Sequence, residues 1–274
     1  MIASALEHPN QVAERLTGRD YVSWSAISTF QSCPLKWHFR YQLGLPEEVV
    51  SASLVFGGAI HRAAEFHLRE ILAGNPIPDL DALLAAYQAE WQERDVGTVQ
   101  FGKSDDVNTL GQLAERVLAV FQSSELAKPS GQILGVEEEL RGQIAEECPE
   151  LLARVDLIVD EGDCLTVTDL KTSRSRWSEQ QVAGSADQLL LYAEVAKDLL
   201  PGKPLKLQFG VISKTKSPSV EIHSVQLDAG RIARTRRVVQ RVWQAIQAGH
   251  IYPNPSPLNC GGCPFRTLCA EWRE

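Results

Sequence analysis

The chain has 274 residues, 44% of them hydrophobic, and carries a formal net charge of −8 at pH 7. This length is close to the size at which a single hydrophobic core stops growing, so we expect one large domain or one domain with an added lobe. The negative charge argues against nucleic-acid binding over the whole surface, although it leaves room for a local basic surface. No window contains 18 uninterrupted apolar residues, and residues 1–10 lack the basic flank and apolar stretch of a signal peptide. A cytoplasmic protein without membrane contact is therefore expected.

Helical periodicity dominates the chain up to about residue 130. After a polar leader, the segment 23–43 begins with Ser23 at an expected N-cap and is divided by Pro34. Further helices are expected at about 54–73, 79–94 and 106–127. The sequence therefore predicts a helical N-terminal part over residues 21–130.

Strand-like alternation of apolar and polar residues begins after residue 130. Three alternating segments span 131–144, 151–160 and 164–173. Gly162 and Asp163 separate the last two, which predicts a hairpin with a two-residue turn. A helix at about 178–200, strands near 205–213 and 219–227, and a basic helix at 231–249 follow. Mixed α/β is the predicted class, in one domain with 131–228 as its core and 229–274 as a C-terminal part.

The predicted hairpin brings two carboxylates together. A turn at Gly162–Asp163 pairs the strands so that Asp156 lies directly opposite Asp169. Side chains in such a pair are about 4.5–5.5 Å apart at Cβ, and like charges there are destabilising unless a cation compensates. Lys171 shares the face of Asp169, because side chains alternate along a strand. Two acids and an ammonium on one face are typical of a hydrolytic site that holds Mg²⁺ or Mn²⁺.

The same residue types have simpler interpretations. Most Asp-x-Lys triplets are solubilising charges on an exposed strand, and spacing alone favours that alternative for Asp169 and Lys171. An isolated helical histidine such as His61 or His67 is more often structural. Gly57, one turn before His61, would leave space above that imidazole for a metal or a phosphate.

Three cysteines lie close together near the C-terminus, with the spacing C-x2-C-x5-C. They are Cys260, Cys263 and Cys269. Six cysteines in a chain of this length are too few for a disulfide scaffold, so clustered thiols indicate a metal site. A zinc site or a four-iron cluster takes four protein ligands, so the fourth must come from elsewhere, and the spacing permits either site. Cys148 and Cys164 have no partner at a useful spacing.

Five segments follow one another in a recognisable order along nearly the whole chain. They are SWSAISTFQSCPLKWHFRY (23–41), GGAIHRAAE with Gly57 and His61, VDLIV with Asp156, TVTDLKT with Asp169 and Lys171, and DQLLLY with Gln188 and Tyr192. Each is a weak signal alone, but their shared order is specific. Together they resemble the PD-(D/E)xK nuclease superfamily, in the branch of the RecB and AddAB nuclease domains and the iron–sulfur nucleases of CRISPR adaptation.

The resemblance implies a restriction-endonuclease-like core, in which a mixed central sheet is flanked by helices. It also implies roles for individual residues. His61, Asp156 and Asp169 would be ligands of Mg²⁺ or Mn²⁺, and the carbonyl of Leu170 could be a further ligand. Lys171 would assist the attacking water.

Two features of this resemblance stay open. The family has a glutamate on the strand before Asp156, where this chain offers Glu137, Glu138 and Glu139. Alternation favours Glu138, whereas the spacing to the next apolar residue favours Glu137, so this ligand is unassigned. Gln188 and Tyr192 lie four residues apart on one helix face, where they could hold Lys171 or a DNA backbone, or serve only packing and capping.

The resemblance also supplies a fourth thiol. Cys33 lies in the segment that matches the family's opening motif. With Cys260, Cys263 and Cys269 it resembles the set that holds a four-iron four-sulfur cluster in AddAB-like and CRISPR-associated nucleases. Such a cluster would be structural, because phosphodiester hydrolysis needs no redox step. It would join the C-terminal iron–sulfur lobe to the first helices, and a Zn²⁺ site on the same four cysteines is the alternative.

Several basic residues are predicted to contact DNA. They are Arg174 and Arg176 after the third strand, Lys214 and Lys216 at a later strand end, and Arg231, Arg234, Arg236, Arg237 and Arg241 on the last helix. A solvated basic face is the alternative for the last group. Trp24, Trp37 and Trp177 could stack on unpaired bases, although packing is the simpler role for the first two.

The sequence therefore predicts a Mg²⁺- or Mn²⁺-dependent DNA nuclease that acts on single-stranded or end-containing DNA. It has no helicase P-loop of the form G-x-x-x-x-G-K-[ST], so unwinding would need a helicase partner, and a CRISPR adaptation protein is another expected partner. Roles in DNA repair, recombination, phage replication or CRISPR adaptation would fit. A non-catalytic DNA-binding subunit of a helicase–nuclease complex is one alternative, and a zinc-stapled protein without nuclease activity is another.

Overall fold

A computed structural model describes residues 7–93 and 98–273 of the chain. These residues belong to two compact units. The two-segment unit comprises Val50–Glu139 and Arg154–Asp228, and the three-segment unit comprises Met1–Val49, Leu140–Ala153 and Ala229–Glu274.

Helices account for most of the regular structure before residue 130, and further helices follow among and after the later strands. In chain order, the helices are α1 (Pro9–Thr17), α2 (Trp24–Ser32), α3 (Pro34–Trp37), α4 (Ala52–Leu72), α5 (Leu80–Gln92), α6 (Val107–Gln122), α7 (Glu179–Ala196), α8 (Ala229–Gln247), α9 (Pro257–Cys260) and α10 (Arg266–Glu271). A π-helical turn (His38–Gln42) continues α3, and a 3-10 turn (Glu125–Ala127) follows α6. The predicted helices are confirmed within a few residues, except that residue 94 of the segment 79–94 lies outside the described residues.

None of the helices in 7–93 and 98–273 is long and apolar enough to cross a membrane.

The strands predicted after residue 130 are all present. In chain order, the strands are β1 (Tyr21–Ser23), β2 (Val50–Ser51), β3 (Val99–Gln100), β4 (Gln132–Gly142), β5 (Glu150–Asp160), β6 (Leu165–Ser173), β7 (Leu205–Ser213) and β8 (Ser219–Val225). Strands β1 to β3 were not predicted, because two or three residues are too few for alternation to be visible.

The polar leader contains helix α1, which was not among the predicted helices. In α1, the His8 side chain accepts a hydrogen bond from the backbone N–H of Asn10, and Gln11 completes a capping box. Gly18 ends the helix in a left-handed conformation, at φ 69°. Ala13 is the buried residue of α1, and the nine-residue helix is capped at both ends.

The predicted division of segment 23–43 is confirmed. The hydroxyl of Ser23 accepts a hydrogen bond from the N–H of Ala26 and caps α2, and Pro34 occupies the first turn of α3. Cys33 lies between the two helices in an extended conformation, with φ −160° and ψ 105°. Cys33 therefore lies at the junction of α2 and α3, directly before Pro34.

The sheet of the two-segment unit is mixed. Its strands follow the order β5-β6-β7-β8, where β5 and β6 are antiparallel, β6 and β7 are parallel, and β7 and β8 are antiparallel. Strand β4 pairs with β5. In the three-segment unit, β1 runs parallel to the first residues of β5, with Tyr21 beside Glu150.

The hairpin of β5 and β6 has the predicted register. Leu157 pairs with Thr168, and Asp160 pairs with Leu165. Gly162 adopts φ 94° in the turn, a left-handed value that glycine accepts without the steric cost of a side chain. This register brings the side chains of Asp156 and Asp169 to corresponding positions on the two strands.

Helices α4, α5 and α6 form an apolar core with one face of this sheet. Phe56 packs edge to face against Tyr87, and Leu170 and Ile212 join the core from β6 and β7. Gly57 lets α4 approach β6, because a Cβ on this residue would lie 2.7 Å from Oγ1 of Thr172. The expected open space above His61 is therefore a wrong interpretation of Gly57, whose absent side chain serves helix packing instead.

Candidate active site

The face of β6 opposite the helical core carries a buried ion pair. The Lys171 ammonium lies 2.6 Å from Oδ2 of Asp169, which is 3% exposed. Oδ2 of Asp156 accepts a hydrogen bond of 2.5 Å from the backbone N–H of Leu170. The alternative of solubilising charges on an exposed strand is therefore wrong for Asp169 and Lys171.

A hydrogen-bonded chain runs from Lys171 to helix α7. The Lys171 ammonium donates to Oε1 of Gln188 at 3.1 Å, and the amide of Gln188 donates to the Tyr192 hydroxyl at 3.0 Å. The spacing of four residues places Gln188 and Tyr192 on one face of α7. Of the two predicted partners, Lys171 is the one that the amide contacts in this structure.

His61, Glu137 and Asp156 offer a set of metal ligands. One nitrogen or oxygen atom from each of these side chains lies within 4.8 Å of the others. The imidazole Nδ1 of His61 is 4.0 Å from Oδ1 of Asp156. A nitrogen and two carboxylate oxygens at this spacing suit a divalent cation that prefers hard ligands.

Of the three adjacent glutamates, Glu137 is the one whose carboxylate belongs to this candidate set. It adopts φ 53°, a left-handed conformation that is uncommon for a residue other than glycine. This residue breaks the alternation of β4, so that Val136 is buried, Glu137 is half-buried and Glu138 is exposed. The alternation argument for Glu138 was therefore wrong, whereas the spacing to the next apolar residue, which favoured Glu137, pointed to the residue that joins this set.

The electrostatics of the site favour charge compensation by a cation. Burial raises the pKa of Asp156 well above its usual range, and the nearby carboxylates of Asp169 and Glu137 raise it further. Burial also raises the pKa of Asp169, although the Lys171 ammonium opposes that effect. Burial, followed by repulsion from Lys171, lowers the pKa of His61 to about 4. The imidazole is therefore neutral near pH 7, as a metal ligand must be.

Replacing Glu137 with glutamine is expected to weaken metal binding by at least about 10- to 100-fold, because losing a mere hydrogen-bond partner of a metal ligand already has that effect. The amide keeps the shape of the side chain but removes one negative charge from the set with His61 and Asp156. Titration calorimetry with Mn²⁺ measures the affinity directly. Glu138→Gln, on the exposed neighbour, is the matched control, and equal losses in the two variants would contradict the assignment of Glu137.

The basic residues predicted to contact DNA lie in different settings. The guanidinium of Arg176 is 3.2 Å from a carboxylate oxygen of Glu221. The Lys214 ammonium donates to the carbonyl and hydroxyl oxygens of Ser53, and burial lowers its pKa to about 8. Arg174 and Lys216 are exposed. Among the described residues, Arg174 and Lys216 are the two of these four without a side-chain contact that already explains their position.

The basic helix α8 combines packing with exposure. Arg236 donates to the backbone carbonyl of Ile144, and Arg241 donates to Gln244 at 3.1 Å. Arg231 is half-buried. Arg234 and Arg237 are exposed. These arrangements leave a DNA contact possible for part of the helix only.

The other aromatic and imidazole candidates serve packing. Trp37 is 2% exposed, and Trp24 is half-buried. Trp177 packs against the buried Phe209 with a ring distance of 5.1 Å. His67 is buried, with its Nε2 atom 3.0 Å from the carbonyl of Ala127, in agreement with a structural role.

The four cysteines of the predicted set approach one another within the three-segment unit. Burial raises the pKa of Cys269, and the thiols of Cys33, Cys263 and Cys260 raise it further. Although all four lie among the described residues, no three of their sulfurs are within 4.8 Å of one another. The thiols therefore influence one another electrostatically, but among the described residues they are not clustered at the spacing of metal ligands.

The chain around these thiols is held by an apolar contact and by hydrogen bonds. Phe39 and Phe265 pack edge to face at 5.7 Å in a cluster that includes Cys33, Cys263 and Cys269. The side-chain amides of Asn254 and Asn259 donate to the carbonyl of Ser32 at 2.9 and 2.8 Å. The early and late cysteine segments are therefore joined by more than the thiols.

Comparison with known proteins identifies the class. A model of the PD-(D/E)XK nuclease superfamily matches residues 21–270. Because this match covers most of the chain, the protein belongs to the PD-(D/E)XK nuclease superfamily. Its mixed sheet flanked by helices fits a restriction-endonuclease-like core, and proteins of this superfamily use divalent metals.

Solved structures are similar in fold. The crystal structure of a candidate exonuclease from Eubacterium rectale matches with a TM-score of 0.57 and 14% identity, covering 100% of this chain and 94% of the other. At this identity the likeness shows the fold alone. The crystal structure of SSO0001 also has 14% identity and covers 89% of this chain and 94% of the other, but its TM-score of 0.35 supports no argument. A search of curated proteins found no match.

Proposed function

We propose that the protein is a Mg²⁺- or Mn²⁺-dependent deoxyribonuclease that acts on single-stranded or end-containing DNA. The observation that carries this proposal is the set of His61, Glu137 and Asp156, with one ligand atom of each within 4.8 Å of the others. Asp169 and Lys171 lie beside this set on the neighbouring strand. Membership of a nuclease superfamily supports phosphodiester hydrolysis as the reaction. The buried carboxylate of Asp169 supports the dependence on a metal ion.

The proposed reaction is phosphodiester hydrolysis. A divalent cation held by His61, Glu137, Asp156 and Asp169 would polarise the phosphodiester and lower the pKa of a bound water. The carbonyl of Leu170 is a further proposed ligand. The buried position of the carboxylates strengthens their interaction with a cation, because water screens it less there.

Lys171 is proposed to orient the attacking water and to stabilise the negative charge that develops on the phosphate. Its ammonium already has two fixed partners, Asp169 and Gln188. Tyr192 fixes the amide of Gln188 in turn. This chain of contacts restricts the ammonium to one position, which reduces the reorganisation needed during the reaction.

The four cysteines are proposed to hold a structural four-iron four-sulfur cluster, as in the RecB- and AddB-like branch. Four thiols in one group provide the full ligand set for such a cluster. A tetrahedral Zn²⁺ site could use the same four thiolates. The choice of the iron–sulfur cluster over Zn²⁺ rests on the resemblance of the four-cysteine pattern to that branch.

The cellular role is proposed to be DNA repair, recombination, phage replication or CRISPR adaptation. The chain has no helicase P-loop, so a helicase or a CRISPR adaptation protein is the proposed partner. We also propose that the chain works as one nuclease domain, since the match to the superfamily spans residues from both units. Within it, 21–130 would form the helical part, 131–228 the core, and 229–274 the basic helix and cysteine segment.

A non-catalytic DNA-binding subunit is the second candidate function. It would keep the fold and the cysteines without cleaving DNA. The ion pair of Lys171 and Asp169 argues against it, because a pair with a buried carboxylate and no catalytic role offers little stability over an apolar pair.

Cleavage of an end-labelled single-stranded oligonucleotide tests the proposal. We expect protein prepared without oxygen to produce a ladder of products that depends on Mg²⁺ or Mn²⁺ and is lost with a chelator. The order in which products appear would give the polarity of cleavage. If single strands, duplexes and flaps all remain intact with either metal, the binding-subunit function becomes the better explanation.

A further inference from the structure

Gly184 occupies the interior of α7, where glycine is unfavourable. Glycine lowers helix stability relative to alanine, because it loses more conformational freedom on folding. The helix is otherwise well specified, with Ser178 as its N-cap and a capping box completed by Gln181. A separate reason is therefore needed for glycine at this position.

Packing does not provide that reason. Apart from the two adjoining residues and the nearby backbone of α7 itself, no atom of residues 7–93 and 98–273 lies within 4 Å of a Cβ added at Gly184. Gly57 and Gly210 differ in this respect, because an added Cβ would lie 2.7 Å from Thr172 or 2.5 Å from Leu126. The surface at Gly184 is open, so the protein itself would accept a larger side chain there.

Gly184 shares a face of α7 with the residues that position Lys171. It precedes Gln188 by four residues and Tyr192 by eight. The Gln188 side chain leaves this surface open, since none of its atoms lies within 4 Å of a Cβ added at Gly184. The carbonyl oxygen of the Gln188 side chain accepts a hydrogen bond from Lys171.

The depth of the active site explains why open space is needed there. The side chains of Asp156 and Asp169 are only 13% and 4% exposed. A phosphodiester that reaches these carboxylates must bring its flanking sugars close to the surrounding elements, including α7. A side chain at position 184 would hold the strand away from Lys171.

We propose that the open surface at Gly184 is a binding subsite for the sugar–phosphate backbone of DNA next to the bond that is cleaved. Gln181 is exposed and Ser185 is half-buried on the same exposed turns of α7, and both are neutral. They offer hydrogen-bond donors to a phosphodiester without repelling its charge. This subsite rests on the proposed nuclease function and specifies where its substrate strand passes.

The test is Gly184→Ala in the full-length protein. We expect the melting temperature to rise by about 2 °C, because alanine favours the helix and meets no neighbour. We also expect KM for a single-stranded oligonucleotide to rise at least tenfold. Bis(p-nitrophenyl) phosphate has no flanking nucleotides. The factor by which activity on it falls should therefore be at least tenfold smaller than the factor for the oligonucleotide. Gly111→Ala is the matched control, since Gly111 also lies within a helix with no atom within 4 Å of an added Cβ among the described residues.

Two results would overturn the subsite. One is a raised melting temperature with an unchanged KM for the oligonucleotide. The other is an equal loss on both substrates, which would indicate damage to the contact between Gln188 and Lys171. DNA affinity is also compared with and without Gly184→Ala in the Lys171→Ala protein, by fluorescence anisotropy of a labelled oligonucleotide. This comparison needs no cleavage, so failure of the subsite stays distinguishable from failure of the nuclease function.

Discussion

Replacing Lys171 with alanine is expected to reduce the rate constant for DNA cleavage by about 10²- to 10³-fold, the loss typical when one group that stabilises transition-state charge is removed. The ammonium is the cation nearest to Asp169, and no neighbouring side chain in the hydrogen-bonded chain could replace it, because Gln188 and Tyr192 are neutral. Single-turnover kinetics with saturating enzyme and Mg²⁺ measure the chemical step directly.

The fold is expected to survive this substitution. The side chain of Lys171 is 31% exposed, so its removal leaves no large cavity in the core. Lys197→Ala is the matched control, since Lys197 is 53% exposed and pairs with Glu194 at the C-terminal end of α7. A Lys171→Ala protein that cleaves as fast as the Lys197→Ala protein would disprove the catalytic assignment.

The hairpin of the active site could be predicted because two local signals agree. Period-two alternation fixes the face of each side chain, and the two-residue turn at Gly162–Asp163 fixes the register. Together these signals place Asp156 opposite Asp169 and put Lys171 on the same face. No long-range contact is needed for that conclusion, and the observed register of β5 and β6 agrees with it.

Glu137 could not be predicted in the same way. Its left-handed backbone interrupts the alternation of β4, and nothing in the run Glu137, Glu138 and Glu139 announces the interruption. A residue in this conformation usually costs energy, which surrounding contacts must offset. The alternation rule therefore failed at a position that belongs to the candidate metal-ligand set. Departures from local preference are most often found at functional sites.

Contacts between distant parts of a unit explain the other differences. Arg176 and Lys214 are basic residues at strand ends, as expected of DNA contacts, yet Glu221 of β8 and Ser53 of α4 are their partners. Likewise, the sequence cannot distinguish Gly57, which packs against Thr172, from Gly184, which faces open space. Such distinctions depend on which helices and strands pack against each other. Sequence periodicity describes each helix or strand by itself, so it cannot reveal these contacts.

Replacing Cys263 with serine is expected to remove the iron and the visible absorbance of the protein and to lower the free energy of unfolding by about 2–4 kcal/mol, the scale of a lost crosslink. Cys33 and Cys263 are separated by more than 200 residues in the sequence, so a cluster that joins them restricts the unfolded chain strongly. Iron and zinc analysis of the purified protein measures the first effect, and denaturant unfolding in the absence of oxygen measures the second.

Cys164→Ser provides the control for this experiment. Cys164 is half-buried in the hairpin turn, where its thiol contacts Glu161, and it belongs to the two-segment unit. Iron content and stability should therefore be unchanged in that variant. Because the proposed cluster is structural, the Cys263→Ser protein that remains folded at low temperature should still cleave DNA. An iron content equal to that of the wild type would contradict the ligand assignment. Zinc in place of iron in the wild-type protein would contradict the cluster while leaving the four-cysteine site intact.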